Sequence, residues 1–161
     1  MKKLVLVLVG LLACNAYANE WRPSEALLKA VRQVESNNGR HVYGDSGRSL
    51  GPFQLSEAAW LDVSAYRRAH SLKVYSYEHH VLHNFINQAY AADYLTLIHN
   101  ELTRKLRREP TPGEMYAAYN MGLTKFADCS YRLARVNSTT VRKCQQINAL
   151  MERASLVANA G

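Results

Sequence analysis

The sequence predicts a mainly α domain with a short irregular or small β segment after its first helix. Three observations carry this prediction: apolar residues recur at helical spacing, capping residues stand at the start of those runs, and glycines punctuate the stretch 40–51. The first helix begins at Ser24, a hydroxyl cap just after Pro23, and Leu27, Leu28, Val31 and Val34 form its apolar stripe. Ser36-Asn37-Asn38-Gly39 ends it. Gly44, Gly47 and Gly51 then supply turns, with room for a small hairpin. Ser56 caps a second helix running to about Ala69.

A long helical region follows from about Ser76 to Arg107. Its expected inner face is Val81, Leu82, Phe85, Ile86, Ala89, Leu95, Ile98, Leu102 and Leu106. One break within it is allowed for, because about thirty residues exceeds the usual helix length. Thr111-Pro112-Gly113-Glu114 combines an N-cap hydroxyl, a first-turn proline and a capping-box glutamate. That short helix holds Met115, Ala118 and Tyr119, and Gly122 can end it. A last helix is expected over Thr139 to Val157.

The chain divides into residues 1–18, expected to be a signal peptide, and a single domain over 19–161. Lys2 and Lys3, the apolar run from Leu4 to Leu12 and the ending Ala16-Tyr17-Ala18 have the form of a secretory signal. The apolar run is too short for a transmembrane helix, which needs about 20 residues. Leu11-Leu12-Ala13-Cys14 also resembles a lipoprotein signal, so a lipid anchor at Cys14 is the other route. Either way the protein is expected outside the cytoplasm, in the periplasm or beyond. In an oxidising compartment Cys129 and Cys144 are expected to form a disulfide. Closing a loop of that size contributes about 3 kcal/mol in the chain-entropy model. No zinc-ribbon spacing surrounds them.

A formal net charge of +7 suits polyanions, nucleic acid and the anionic cell wall alike, and export favours the wall. Arg104, Lys105, Arg107 and Arg108 hold much of that charge near a helix end, where cations are favoured without any ligand.

Glu35 is the most informative position. It lies on the apolar side of the first helix, after Leu28 and Val31 at helical spacing. A carboxyl at the edge of a core is desolvated, which is how a general acid keeps its proton near neutrality. Taken alone it would be read as a solvated glutamate near a helix end. Its context is Glu35-Ser36, then Gly44-Asp45-Ser46-Gly47 leading to Gly51-Pro52-Phe53-Gln54, and downstream Ala118-Tyr119-Asn120-Met121-Gly122.

With these three motifs in order, the stretch 24–125 resembles the lysozyme-like superfamily: the soluble lytic transglycosylase domain and the goose-type and invertebrate-type lysozymes. The resemblance implies a lysozyme-like fold and cleavage of peptidoglycan glycan strands at the β-1,4 bond between N-acetylmuramic acid and N-acetylglucosamine. It implies Glu35 as the acid that protonates the glycosidic oxygen. Ser36 would be a local hydrogen-bonding aid, counted with Gln54, Tyr119 and Asn120 among the substrate-binding residues. Tyr119 would approach the catalytic carboxyl.

Two positions depart from the transglycosylase pattern. Gly51-Pro52-Phe53-Gln54 stands where Gly-Leu-Met-Gln is common, closer to the invertebrate-type version. Asp45 stands where a serine is frequent, as in the goose-type pattern, and is a candidate second catalytic carboxylate. Hydrolysis needs a second carboxylate, whereas transglycosylation proceeds with one because the sugar's 6-hydroxyl attacks. An aspartate in a Gly-Asp-Ser-Gly turn is equally a turn residue.

Two other readings stay open: a catalytically silent wall-binding module, and a secreted metal-binding helical protein. His79 and His83 stand one turn apart with Glu78 near, yet the HExxH order and a third ligand at fitting spacing are missing. No metal, cofactor or nucleic-acid partner is therefore expected. Trp60, Tyr66, Tyr75, Tyr77, Tyr90 and Tyr94 could stack on sugars or serve as packing.

Overall fold

Residues 20–159 are described by a computed structural model, and the signal segment with Cys14 lies outside them. The elements are α1 (Glu25–Ser36), β1 (Tyr43–Gly44), β2 (Ser49–Leu50), β3 (Leu55–Ser56), α2 (Glu57–Ala69), α3 (Tyr77–His80), α4 (Asn84–Leu106), α5 (Pro112–Met121), α6 (Leu123–Asp128) and α7 (Ser138–Asn159). The architecture is mainly helical, with one small antiparallel sheet ordered β1-β2-β3. Tyr43 pairs with Leu50, and Leu50 in turn with Leu55. No described helix is long and apolar enough to cross a membrane.

The capping signals act where the sequence places them. Ser24 Oγ accepts from Leu27 N at 3.2 Å, Ser56 Oγ from Ala59 N at 3.3 Å, and Thr111 Oγ1 from Glu114 N at 3.2 Å. Glu114 closes the capping box on Thr111 N and takes a bidentate pair from Arg108. The long helical region breaks at Val81–His83, and α4 restarts as Asn87 N bonds His83 O at 2.8 Å.

Of the expected inner face of that region, Val81, Leu95, Ile98 and Leu102 are buried and Ile86 and Leu106 pack against the core, while three positions are not core. Phe85 is 79% exposed, and Leu82 and Ala89 also face outward. The buried face of α4 is Tyr90, Ala91, Tyr94, Leu95, Ile98 and Leu102 at helical spacing, with the polar Asn87, Asp93, Thr96 and His99 buried beside it. Helix α6 and the 3₁₀ turn Leu133–Arg135 were not expected from the sequence.

Helix α5 is the centre of the fold, packed on one side by α4 and on the other by α7, which also covers α1. Trp60, Tyr90, Tyr116, Phe53 and Phe126 are the largest fully buried side chains. Trp60 stacks on Tyr90 with centroids 3.7 Å apart, and its indole N–H donates to Tyr75 O at 2.8 Å. These rings are core, not exposed sugar platforms.

Cys129 and Cys144 are both free thiols, so the expected disulfide is not formed. Cys144 points into the core from α7, where burial pushes its thiol up to about 11. Cys129 ends α6 and donates its thiol to Arg135 O at 3.4 Å.

Candidate active site

Helix α1 stops abruptly because Asn37 takes the left-handed conformation, φ 50°, at its C-cap. Ser36 then ties this end to the 51–54 turn. Its hydroxyl lies 2.6 Å from Pro52 O, and it accepts from Gly39 N at 2.7 Å. Ser36 is 1% exposed, so it cannot touch a ligand. It is a staple, and the substrate-binding role expected for it is corrected accordingly.

The turn carrying Gln54 is built from both sides. Gly51 has φ +81°, and a Cβ there would lie 2.4 Å from Asn87 Nδ2 and from Val81 O. Only glycine lets the backbone approach so closely. Buried Asn87 accepts from Phe53 N at 2.9 Å, a role no sequence motif marked. Gln54 itself has φ 49° and spends its amide nitrogen on His41 O at 3.0 Å and Gly51 O at 2.8 Å. Its Oε1 lies directly over Gly44.

These elements wall a cleft of about 700 Å³. Glu35, Gln54, Tyr119 and Asn120 all line it, so four of the residues singled out from the sequence converge there. The Glu35 side chain is only 7% exposed, and Lys143 Nζ of α7 stands 3.7 Å from its Oε1. Tyr116 donates a short hydrogen bond to the same oxygen. Tyr119, expected to approach the carboxyl, shares the cleft with it but donates its hydroxyl to Phe53 O at 2.7 Å, bracing the Gln54 turn against α5. Tyr116 sits one turn earlier on the same face, and that i, i+3 spacing was the available signal for it. Burial and then the nearby Glu35 charge push both phenols above their ordinary value, so both remain donors.

Asp45 opens the 3₁₀ turn Asp45–Gly47 between β1 and β2, and its side chain lies outside the described part of the structure. Asp62 of α2, given no role from the sequence, also lines the cleft. A second groove of about 910 Å³ shares Asp62, Tyr94, Leu123 and Thr124 with the first.

Among the described residues no group of three His, Cys, Asp or Glu side chains could hold a metal ion. His80 bonds within its own turn to Ser76. Three of the four clustered cations are paired: Arg104 and Lys105 with Glu101, and Arg108 with Glu114.

A sequestered carboxyl with a phenol donor and an ammonium beside it, open to a trough lined by amides, can give a proton and take it back. Comparison with family models, curated proteins and solved structures gave no match.

Proposed function

We propose that the chain is an exported peptidoglycan-cleaving enzyme of lysozyme-like fold that breaks the β-1,4 bond between N-acetylmuramic acid and N-acetylglucosamine. The observation that carries this reading is Glu35: a carboxyl 7% exposed, at the floor of an open trough, beside Tyr116 and Lys143. The order of the Glu35, Gln54 and Tyr119-Asn120 motifs supports it independently.

In this reading Glu35 protonates the glycosidic oxygen as the C1–O bond breaks. Tyr116 donates to Oε1, so the transferable proton is carried by Oε2. The resulting carboxylate is stabilised by the Tyr116 hydroxyl and the Lys143 ammonium. The positive sugar carbon is then captured by an oxygen nucleophile, whose proton goes to Glu35 or, where a second carboxylate acts as the base, to that carboxylate. If that nucleophile is the muramyl 6-hydroxyl, the product is a 1,6-anhydro sugar and no second carboxylate is required. If it is water, a second carboxylate must activate it or attack first. Asp45 and Asp62 are the candidates.

Digestion of purified peptidoglycan, read by mass spectrometry, tests the proposal. Anhydro-muramyl ends indicate transglycosylation and reducing ends hydrolysis; both support cleavage. If the wild type and Glu35→Gln release the same negligible material, the enzyme reading fails and a wall-binding module replaces it.

A further inference from the structure

Asn120 sits at the rim of the cleft, exposed, at the end of α5. A side-chain amide in such a place could present either its oxygen or its nitrogen to a ligand. Here the orientation is set from outside the motif, by the first turn of α7. Thr140 N lies 2.9 Å from Asn137 Oδ1. A backbone N–H can only donate, so that atom of Asn137 is its oxygen and the other is its NH₂. The Asn137 NH₂ lies 3.1 Å from Thr140 Oγ1, so the Thr140 hydroxyl accepts there and keeps its own hydrogen for another partner. That hydrogen goes to Asn120 Oδ1, 2.9 Å away. The Asn120 NH₂ is left turned away from α7.

We propose that Thr140, set by Asn137, is a positioning residue that fixes Asn120 as a hydrogen-bond donor to the cleft. The ligand group it would take is an acceptor oxygen on the sugar, a carbonyl or hydroxyl; in this the inference rests on the glycan reading. Thr140 is 4% exposed and cannot touch a substrate, so it acts only through Asn120. Across the cleft Gln54 is fixed in the opposite sense. Both hydrogens of its amide meet backbone carbonyls, leaving Oε1 as an acceptor. Asn120 and Gln54 both line the cleft, so its two side-chain amides are set in opposite senses. An N-acetylated sugar, which offers both an amide N–H and a carbonyl, suits such a pair.

The experiment uses Glu35→Gln protein, which holds glycan without turning it over, and N-acetylglucosamine hexasaccharide as the probe in calorimetry. Thr140→Val keeps the shape of the side chain and removes the hydroxyl, so it is expected to weaken binding about fivefold, the size of one net hydrogen bond. Thr140→Ser is expected to restore it. In an Asn120→Ala background Thr140→Val is expected to add nothing, which a merely structural role would not produce. Undiminished binding by Thr140→Val, or additive losses, overturns the proposal.

If the parent protein binds no glycan, the functional reading is what fails, and the relay is tested by the NMR signals of the Asn120 side-chain amide. Thr140→Val is then expected to shift or broaden them and Thr140→Ser to leave them in place. Signals unmoved by Thr140→Val overturn the relay.

Discussion

Replacing Gly44 by alanine puts a methyl group where the Gln54 amide lies: a Cβ there would stand 1.9 Å from Gln54 Oε1. The backbone of Gly44 is not in a left-handed conformation, so the substitution adds no backbone strain and acts only through this clash. Oε1 is the far end of a flexible side chain, and Gln54 can swing away. Doing so forfeits its bonds to His41 O and Gly51 O at 3.0 and 2.8 Å. At about 1 kcal/mol per net hydrogen bond, with the surface carbonyl of His41 partly compensated by water, the loss is about 1.5 kcal/mol. For a domain of this size that lowers the melting temperature by about 5 °C. Gln54→Ala forfeits the same bonds and is expected to cost the same. The double variant Gly44→Ala/Gln54→Ala, with no clash left to relieve, is expected to melt no lower than Gln54→Ala alone. Calorimetric melting of the four proteins reads this directly. Additive losses in the double variant refute the reasoning.

Tyr116→Phe removes the phenol donor from Glu35 and is expected to lower kcat at least about tenfold with glycan binding retained; a wild-type rate contradicts that role. Ser36→Ala leaves Gly39 N without its partner and unties Pro52, and is expected to cost about 2 kcal/mol in denaturant unfolding. A variant as stable as wild type would show that Ser36 is no staple. Burial alone would raise the Glu114 carboxyl, but the Arg108 guanidinium and the Thr111 donors outweigh it and hold it below its ordinary range. A lowered folded value adds stability above the unfolded value, about 4.3, and that stability is lost as pH falls through the folded value. Glu114→Gln is therefore expected to flatten the fall in stability on acidification below about pH 4, and an unchanged slope contradicts the assignment.

What the sequence makes legible is mostly local. Ser24, Ser56 and Thr111 announce helix starts because a cap needs only residues within one turn. Glu35, Gln54, Tyr119 and Asn120 converge because their motifs sit at element ends that must meet if the helices pack. What stays hidden depends on tertiary geometry. The chain breaks at Val81–His83 and α4 starts afresh at Asn84, so Leu82 and Phe85 look like core and are exposed. Tyr119 carries the motif, yet Tyr116 reaches the carboxyl, because the rotation of α5 decides which of two tyrosines on one face points at α1. Lys143 and Thr140 come from α7, beyond every motif. Spacing suggests a bridge between Cys129 and Cys144, but Cys144 is buried in the core while the Cys129 thiol bonds Arg135 O, and both are free.

The most direct test of the central claim compares the rate at which wild type and Glu35→Gln release soluble fragments from purified peptidoglycan, alongside their melting temperatures. The account predicts steady release by the wild type and a loss of about 10²- to 10⁴-fold in the variant, with the fold intact. A folded Glu35→Gln protein that releases fragments at the wild-type rate would contradict it.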